Sequence, residues 1–200
     1  KYQIMVYMKK TNTITGIILA GGKSSRMGTN KALIPINNIP MIEQIIKTLN
    51  FICDDVIVIA NNDLPIKGNF KIKKDIIENC GPMGGIHAGL NASSSFKNII
   101  VSCDAPYTNL KALQCLIDYT KNSNCTLFEY ENKMHPLPGC YTTNCLPTIT
   151  ENLTQNKLKL RETVSALNPK MINIEKLLFK KDYLKALINI NTPEDLKEFI

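Results

Sequence analysis

Tryptophan is absent from this 200-residue chain, histidine occurs only twice, and no cysteine pair has the C-x-x-C spacing. With only His87 and His135 to supplement the cysteines, the ligand pattern of a structural zinc site is missing. No apolar run reaches the roughly 18–20 residues of a membrane helix, which excludes a helical bilayer span, and no membrane partner is expected. Basic residues never run longer than Lys9-Lys10, Lys73-Lys74 or Lys180-Lys181, so the net charge of +7 (24 Lys and Arg against 17 Asp and Glu) is scattered. A nucleic-acid binder would need a clustered basic face with interleaved stacking aromatics, so no nucleic-acid partner is expected. A dispersed positive balance by itself suits an enzyme of small anionic substrates as well as it suits nucleic acid, and charge alone does not decide between them. From Lys1 to Thr15 there is neither a sustained apolar stretch nor a small-residue cleavage site, and no signal peptide is read there. Residues 1–13 are expected to form a poorly ordered extension to one domain over 14–200.

What is present is enough apolar material for a core, 44% hydrophobic residues against 20% charged, and this excludes disorder. The seven cysteines, at 53, 80, 103, 115, 125, 140 and 145, are odd in number and several lie in apolar stretches. They read as reduced core residues in a cytoplasmic protein. Short apolar runs alternate with helix-period stretches. Strands are expected at Thr15–Ala20, Val56–Ala60, Phe70–Lys73, Asn98–Cys103, Thr126–Tyr130, Gly139–Thr142, Met171–Ile174 and Ala186–Ile190. Helices are expected at Pro40–Ile52, Ile86–Ser95, Leu110–Lys121, Leu146–Asn156, Leu160–Leu167 and up to about Tyr183, and a last one opens at Thr192-Pro193 with Thr192 as N-cap. Lys133–Pro138 reads as a connector, and the stretch from Gly81 to Gly85 as a glycine-rich approach to the next helix. Near-continuous apolar strands alternating with helices predict an α/β domain: three layers around a mostly parallel, Rossmann-like sheet.

In open α/β sheets ligands bind at the carboxyl ends of strands. The first such segment runs Leu19-Ala20-Gly21-Gly22-Lys23-Ser24-Ser25-Arg26-Met27-Gly28-Thr29-Asn30-Lys31. Its glycines let backbone N–H groups approach phosphate oxygens, and Lys23, Arg26 and Lys31 supply cations for a polyanion. It is not a Walker loop, because five residues separate Gly22 from Gly28 and Thr29-Asn30 intervene before Lys31. A dinucleotide fingerprint fails too, since the second strand ends in Asn61-Asn62 rather than an acid. Asp104 follows a buried strand, where a hard oxygen ligand for Mg²⁺ beside a triphosphate would sit; a turn-forming aspartate before Pro106 is the plain alternative. No serine or cysteine nucleophile has a partnered base, so no covalent intermediate is implied.

The loop resembles the L-A-G-G-x-S-x-R-M-G-x-x-K signature of sugar-nucleotide-type nucleotidyltransferases. Together with Asp75, Cys80-Gly81-Pro82-Met83-Gly84-Gly85-Ile86, Cys103-Asp104-Ala105-Pro106-Tyr107, Met134-His135-Pro136 and Asn189-Ile190-Asn191-Thr192-Pro193-Glu194-Asp195-Leu196, it makes the chain from Ile14 to Ile200 similar to the molybdenum cofactor guanylyltransferase family. That resemblance implies a Mg²⁺-dependent enzyme that joins GMP from GTP to molybdopterin and releases pyrophosphate. By the same resemblance Leu19, Ala20, Gly21 and Gly22 line the nucleotide, Lys31 meets its phosphates, and Arg26 with Lys23 holds the pyrophosphate. Arg26, Lys31 and Asp104 are the expected catalytic residues, and Asp104 is the expected metal ligand and a nucleotide contact. Asp75 would accept from the guanine N1–H and N2–H₂ edge, the alternative being a surface acid beside Lys73 and Lys74. The family places an Asn at the end of the second strand; here that position holds Ile59, and Asn61, two residues on and on the same strand face, is the expected substitute. Asn191, or Asn189 beside it, at the end of the expected strand, completes the metal shell or touches the acceptor, a helix-entry cap being the competing role; His135 is a candidate for the acceptor side, and His87 either faces the acceptor or packs. A cytidylyltransferase of the same pterin, a guanylyltransferase of another phosphorylated acceptor, or a regulatory nucleotide-binding module are the rival readings. Other molybdenum cofactor proteins are expected partners.

Overall fold

The structure, a computed structural model, describes residues 13–21, 31–192 and 195. Seven strands form one sheet in the order β5-β4-β1-β6-β8-β7-β9. They are β1 (Ile14–Leu19), β4 (Asp55–Ile59), β5 (Lys71–Lys73), β6 (Lys97–Ser102), β7 (Cys125–Tyr130), β8 (Lys133–Thr142) and β9 (Lys170–Asn173). The pairs β4–β5, β1–β4, β1–β6 and β7–β9 are parallel, and β8 runs antiparallel to both β6 and β7. A two-residue hairpin, β2 (Pro35–Ile36) with β3 (Ile39–Pro40), stands apart from the sheet.

Alternation along the central strands sorts side chains onto two faces. Ile18, Val56, Val58, Ile99 and Val101 pack with Ile42, Ile45, Ile46 and Leu49 of α1 (Met41–Asn50) and with Leu113 and Leu116 of α3 (Leu110–Tyr119). Tyr183 of α6 (Lys180–Lys185) joins this layer, its ring edge-on to Phe128 with centroids 5.8 Å apart. On the other face Ile17, Leu19, Ile57, Ile59 and Ile100 pack with α2 (Gly81–Ala92), α4 (Leu146–Thr154) and α5 (Leu160–Ala166). The result is three layers with six strands pointing one way and β8 reversed. No described helix is long and apolar enough to cross a membrane.

Four expectations need correction. The helix expected from Ile86 begins at Gly81, so Gly84 and Gly85 lie inside it rather than leading to it. Pro82 occupies its first turn, where a missing N–H costs nothing. Lys133–Pro138 is the first part of β8 and not a connector. Pro136 and Pro138 lack the N–H that a ladder uses, and the pairing accordingly jumps from Leu127↔Gly139 to Phe128↔His135. Ala186–Ile190 forms no strand: only the Ile190 N–H reaches the sheet region, donating to Asp104 O at 2.8 Å. The helix expected up to Tyr183 is interrupted, with a 3₁₀ turn at Ile174–Lys176 and α6 starting after Phe179, which adopts φ 59°.

The glycine at 89 marks the closest approach of α2 to β1: a Cβ there would lie 2.5 Å from Ile17 Cγ2. Alanine would gain about 1 kcal/mol of helix propensity, but overpacking a dense core costs typically about 1–3 kcal/mol. Gly89→Ala is therefore expected to lower the urea midpoint at unchanged m-value; a raised midpoint would contradict the packing described.

Candidate active site at the carboxyl edge of the sheet

Four parallel strands end side by side, and backbone hydrogen bonds carry the alignment past their last residues. Ala60 N–H donates to Lys73 O at 2.9 Å, Ala20 N–H to Ile59 O at 2.9 Å, and Cys103 N–H to Leu19 O at 3.1 Å. The segments leaving the strands, Ala20-Gly21, Ala60-Asn61, Lys74-Asp75 and Cys103-Asp104, are thereby set in a row.

At one end of the row stands Asp104, half-buried, with its backbone oxygen taken by Ile190 and its Oδ1 buried without a hydrogen-bond partner among the described residues. Ile190 is fully buried with Ile36 and Met41, and this small apolar cluster pins the C-terminal segment across the end of β6. The pinning sets Asn191 beside Lys31: Lys31 Nζ donates to Asn191 Oδ1 at 2.9 Å. A neutral acceptor orients the ammonium without itself neutralising it. Asp195 accepts from the N–H groups of Asn191 (2.7 Å) and Thr192 (2.9 Å) and donates its own N–H to Thr192 Oγ1 at 3.2 Å, a reciprocal capping arrangement with Thr192 as the cap. Those backbone donors, Asn191 first, hold the Asp195 carboxyl below its ordinary range, with the Lys31 charge acting in the same direction. The thiol of Cys103 is pushed up to about 12, by burial first and then by the Asp104 charge, while Lys31 pulls it the other way. Lys31 and Asp104 thus bear on one small volume.

At the other end lies Asp75. Its Oδ2 accepts from Asn61 Nδ2 at 2.9 Å, and its own N–H donates to Asn61 Oδ1 at 3.0 Å. Its Oδ1 is buried and has no hydrogen-bond partner among the described residues. Around the carboxylate three positions are glycine. Among the described residues a Cβ at Gly21 would meet only Asp75 Oδ2, at 3.7 Å, and one at Gly84 or Gly85 would lie 3.7 or 3.9 Å from Oδ1.

The structure therefore gathers Leu19, Ala20, Gly21, Lys31, Asn61, Asp75, Asp104 and Asn191 along one edge. Gly22, Lys23 and Arg26 lie outside the described residues, as do Pro193 and residues 1–12 of the expected extension. Asn189 is exposed and separated from Asn191 by buried Ile190. Neither stands at the end of a strand, contrary to the sequence expectation. His135 lies in the arm of β8 beyond Gly139, the residue paired with Ile100 of β6. His87 is buried within α2 with Nδ1 unpartnered among the described residues, and burial lowers its pKa. Among the described residues no three His, Cys, Asp or Glu side chains cluster as metal ligands. Sequence reasoning missed Gly84 and Gly85 as walls of the Asp75 site. The signal becomes readable only once the helix is known to start at Gly81, because glycines inside a helix, at about 1 kcal/mol each, mark a close approach.

Residues 16–170 match the MobA-like NTP transferase domain. The chain is 32% identical over 187 residues to a "probable molybdenum cofactor guanylyltransferase" of Carboxydothermus hydrogenoformans, covering 94% of this chain and 95% of that one. It is 30% identical over 190 residues to the molybdenum cofactor guanylyltransferase of Desulfosudis oleivorans, covering 94% of each. In fold it is similar to molybdopterin-guanine dinucleotide biosynthesis protein A of Archaeoglobus fulgidus, with TM-score 0.79 at 20% identity over 92% of this chain and 95% of that one. It is also similar to 2-C-methyl-D-erythritol 4-phosphate cytidylyltransferase of Thermus thermophilus, with TM-score 0.69 at 15% identity over 94% and 97%.

His135 offers a check on the local electrostatics. Burial lowers its pKa, and the charges of Arg161 and Lys133 lower it further. Its NMR titration midpoint is expected below the ordinary value of about 6.5, and Arg161→Gln should move it upward. A midpoint that Arg161→Gln leaves in place would contradict the proximity of the two residues.

Proposed function

We propose, for a chain that belongs to the MobA-like NTP transferase family and is a nucleotidyltransferase, that it transfers GMP from GTP to molybdopterin, forming the guanine dinucleotide cofactor and releasing pyrophosphate. The observation that carries the reading is the row of strand ends itself. It sets Asp104, with Lys31 held beside it by Asn191, at one end and the glycine-walled Asp75 carboxylate at the other, with the Leu19–Gly21 segment between them.

The terminal phosphate oxygen of the pterin attacks the α-phosphorus of GTP. A new P–O bond forms, the bond from the α-phosphorus to the α–β bridging oxygen breaks, and the electron pair leaves with pyrophosphate. Two anions must be brought together and charge must be accommodated on the leaving group. Lys31, oriented by Asn191, supplies positive charge at the phosphates; Arg26 and Lys23 are proposed to hold the pyrophosphate. The backbone of Leu19, Ala20, Gly21 and Gly22 follows the nucleotide, and Asp75 accepts from the guanine edge. Asn191, Asn189 and His135 stand on the acceptor side. Asp104 fits a hard divalent cation, since a buried carboxylate oxygen without a hydrogen-bond partner is a poor structural element and a good Mg²⁺ ligand. Mg²⁺, when bound, would neutralise phosphate charge beside Asp104. The reducing cytoplasm is the proposed compartment, in keeping with seven unpaired cysteines, four of them buried.

Asp104→Asn tests the assignment. The exchange removes a charge at a buried atom with no hydrogen-bond partner among the described residues, so the ligand-free variant should be no less heat-stable than wild type. Pyrophosphate release from GTP and molybdopterin with Mg²⁺ should fall by about 10²–10³-fold, the usual scale for losing one electrostatic stabiliser of a transition state. A fully active Asp104→Asn enzyme would overturn the role given to this residue. In the same assay wild type should turn over GTP and leave CTP nearly untouched.

A further inference from the structure

We infer that Asn61 is a positioning residue whose side chain fixes the Asp75 carboxylate for reading the guanine edge, and does not itself serve as the base contact. This rests on the guanylyltransferase reading above and adds to it the origin of base selectivity. Asp75 needs outside support because its own strand gives little. β5 has three residues, all exposed, and lies at the margin of the sheet. Its ladder with β4 ends at Ile59↔Lys73, followed only by the Ala60 N–H to Lys73 O bond. Two residues beyond that last pair on each strand stand Asn61 and Asp75. Here the Asn61 side chain takes over the pairing that the backbone has dropped. Its amide nitrogen donates to Asp75 Oδ2 at 2.9 Å, and its amide oxygen accepts from the Asp75 N–H at 3.0 Å.

A primary amide is the group for this task. It carries a donor and an acceptor in one plane, which neither a carboxylate nor an aliphatic side chain of similar size provides. One N–H and one lone pair of Asn61 are spent on Asp75, so the plane and orientation of the amide are set by that pairing and not by a ligand. The Asp75 carboxylate, in contrast, keeps Oδ1 without a hydrogen-bond partner among the described residues, and the positions nearest it, Gly21, Gly84 and Gly85, carry no side chain of their own. Ile59 cannot share the work, because it is 1% exposed and packed in the core with Ile57 and Leu19. A rigid acceptor pair discriminates among bases better than a mobile one, since a wrong partner then leaves a buried acceptor unpaired.

The test compares GTP with inosine triphosphate, which lacks the 2-amino donor, as GMP or IMP donors to molybdopterin. Asn61→Ala should raise KM for GTP about tenfold, in line with loss of a hydrogen bond to a charged group, with a smaller effect on kcat. The GTP-to-ITP ratio of kcat/KM should fall toward one. Asp75→Ala should collapse the ratio as well, and the double variant should be no worse than Asp75→Ala alone. Asn61→Ser, shorter but still polar, should behave like Asn61→Ala, and thermal melting of both reports that they fold. A merely structural Asn61 would lower the melting midpoint and leave the ratio unmoved, which would overturn the inference. So would multiplying effects in the double variant, the mark of an independent contact. Failure of wild type to transfer from GTP would instead overturn the underlying reading, and this inference with it.

Discussion

The parallel alignment of β5, β4, β1 and β6 is the constraint on which the rest depends. Four strands hydrogen-bonded in one direction must end on one edge, and the bonds from Ala60 to Lys73, Ala20 to Ile59 and Cys103 to Leu19 extend that register into the departing loops. That alignment delivers Gly21, Asn61, Asp75 and Asp104 to one edge. The flat apolar layers on both faces, Ile18 and Val58 against α1 and Ile17 and Ile59 against α2, hold the strands rigidly enough that the edge residues inherit fixed positions. At burial near 25 cal/mol per Å² of apolar surface, such layers supply the main stabilising term, and the polar edge is a cost they carry.

That cost is visible at two carboxylates. Asp75 Oδ1 and Asp104 Oδ1 are both buried without hydrogen-bond partners among the described residues, at opposite ends of the row. Unsatisfied buried acceptors are uncommon in folded proteins, and a carboxylate oxygen left so at each end of the row marks where the fold gives up stability for chemistry. The C-terminal segment compensates in part. Ile190 is buried with Ile36 and Met41, its N–H covers the Asp104 backbone oxygen, and Asn191 then meets Lys31. A segment distant in sequence thus orients the cation that the first strand's loop delivers.

Much of this was legible in the sequence, and the unread part has physical causes. Apolar runs such as Ile17–Leu19 and Ile99–Val101 announce buried parallel strands, and glycine and lysine after the first of them announce a phosphate site. The pairing of Asn61 with Asp75 was not legible, because it depends on the register of two strands separated by a loop of eleven residues, 60–70. Prolines 136 and 138 disguised the first part of β8, since the local rule against proline in a ladder is met here by a shift in pairing rather than by ending the strand. The apolar pattern of Ala186–Ile190 looked like a strand, but its burial comes from packing Ile188 and Ile190 against Ile36, Met41 and Tyr107 and not from sheet pairing. Gly84 and Gly85 read as a loop because helix propensity disfavours them, and close packing on Leu19, Cys80 and the Ile77 carbonyl overrides that preference.

The most direct measurement is the melting midpoint of the protein with each of GTP, CTP, ATP and UTP, with and without Mg²⁺. A ligand at 100 times its dissociation constant stabilises the fold by about 2.7 kcal/mol, well within the resolution of a melting curve. The account predicts a rise with GTP that Mg²⁺ enlarges, and little change with the other three. An equal or larger rise with CTP, or none with any nucleotide, would contradict it.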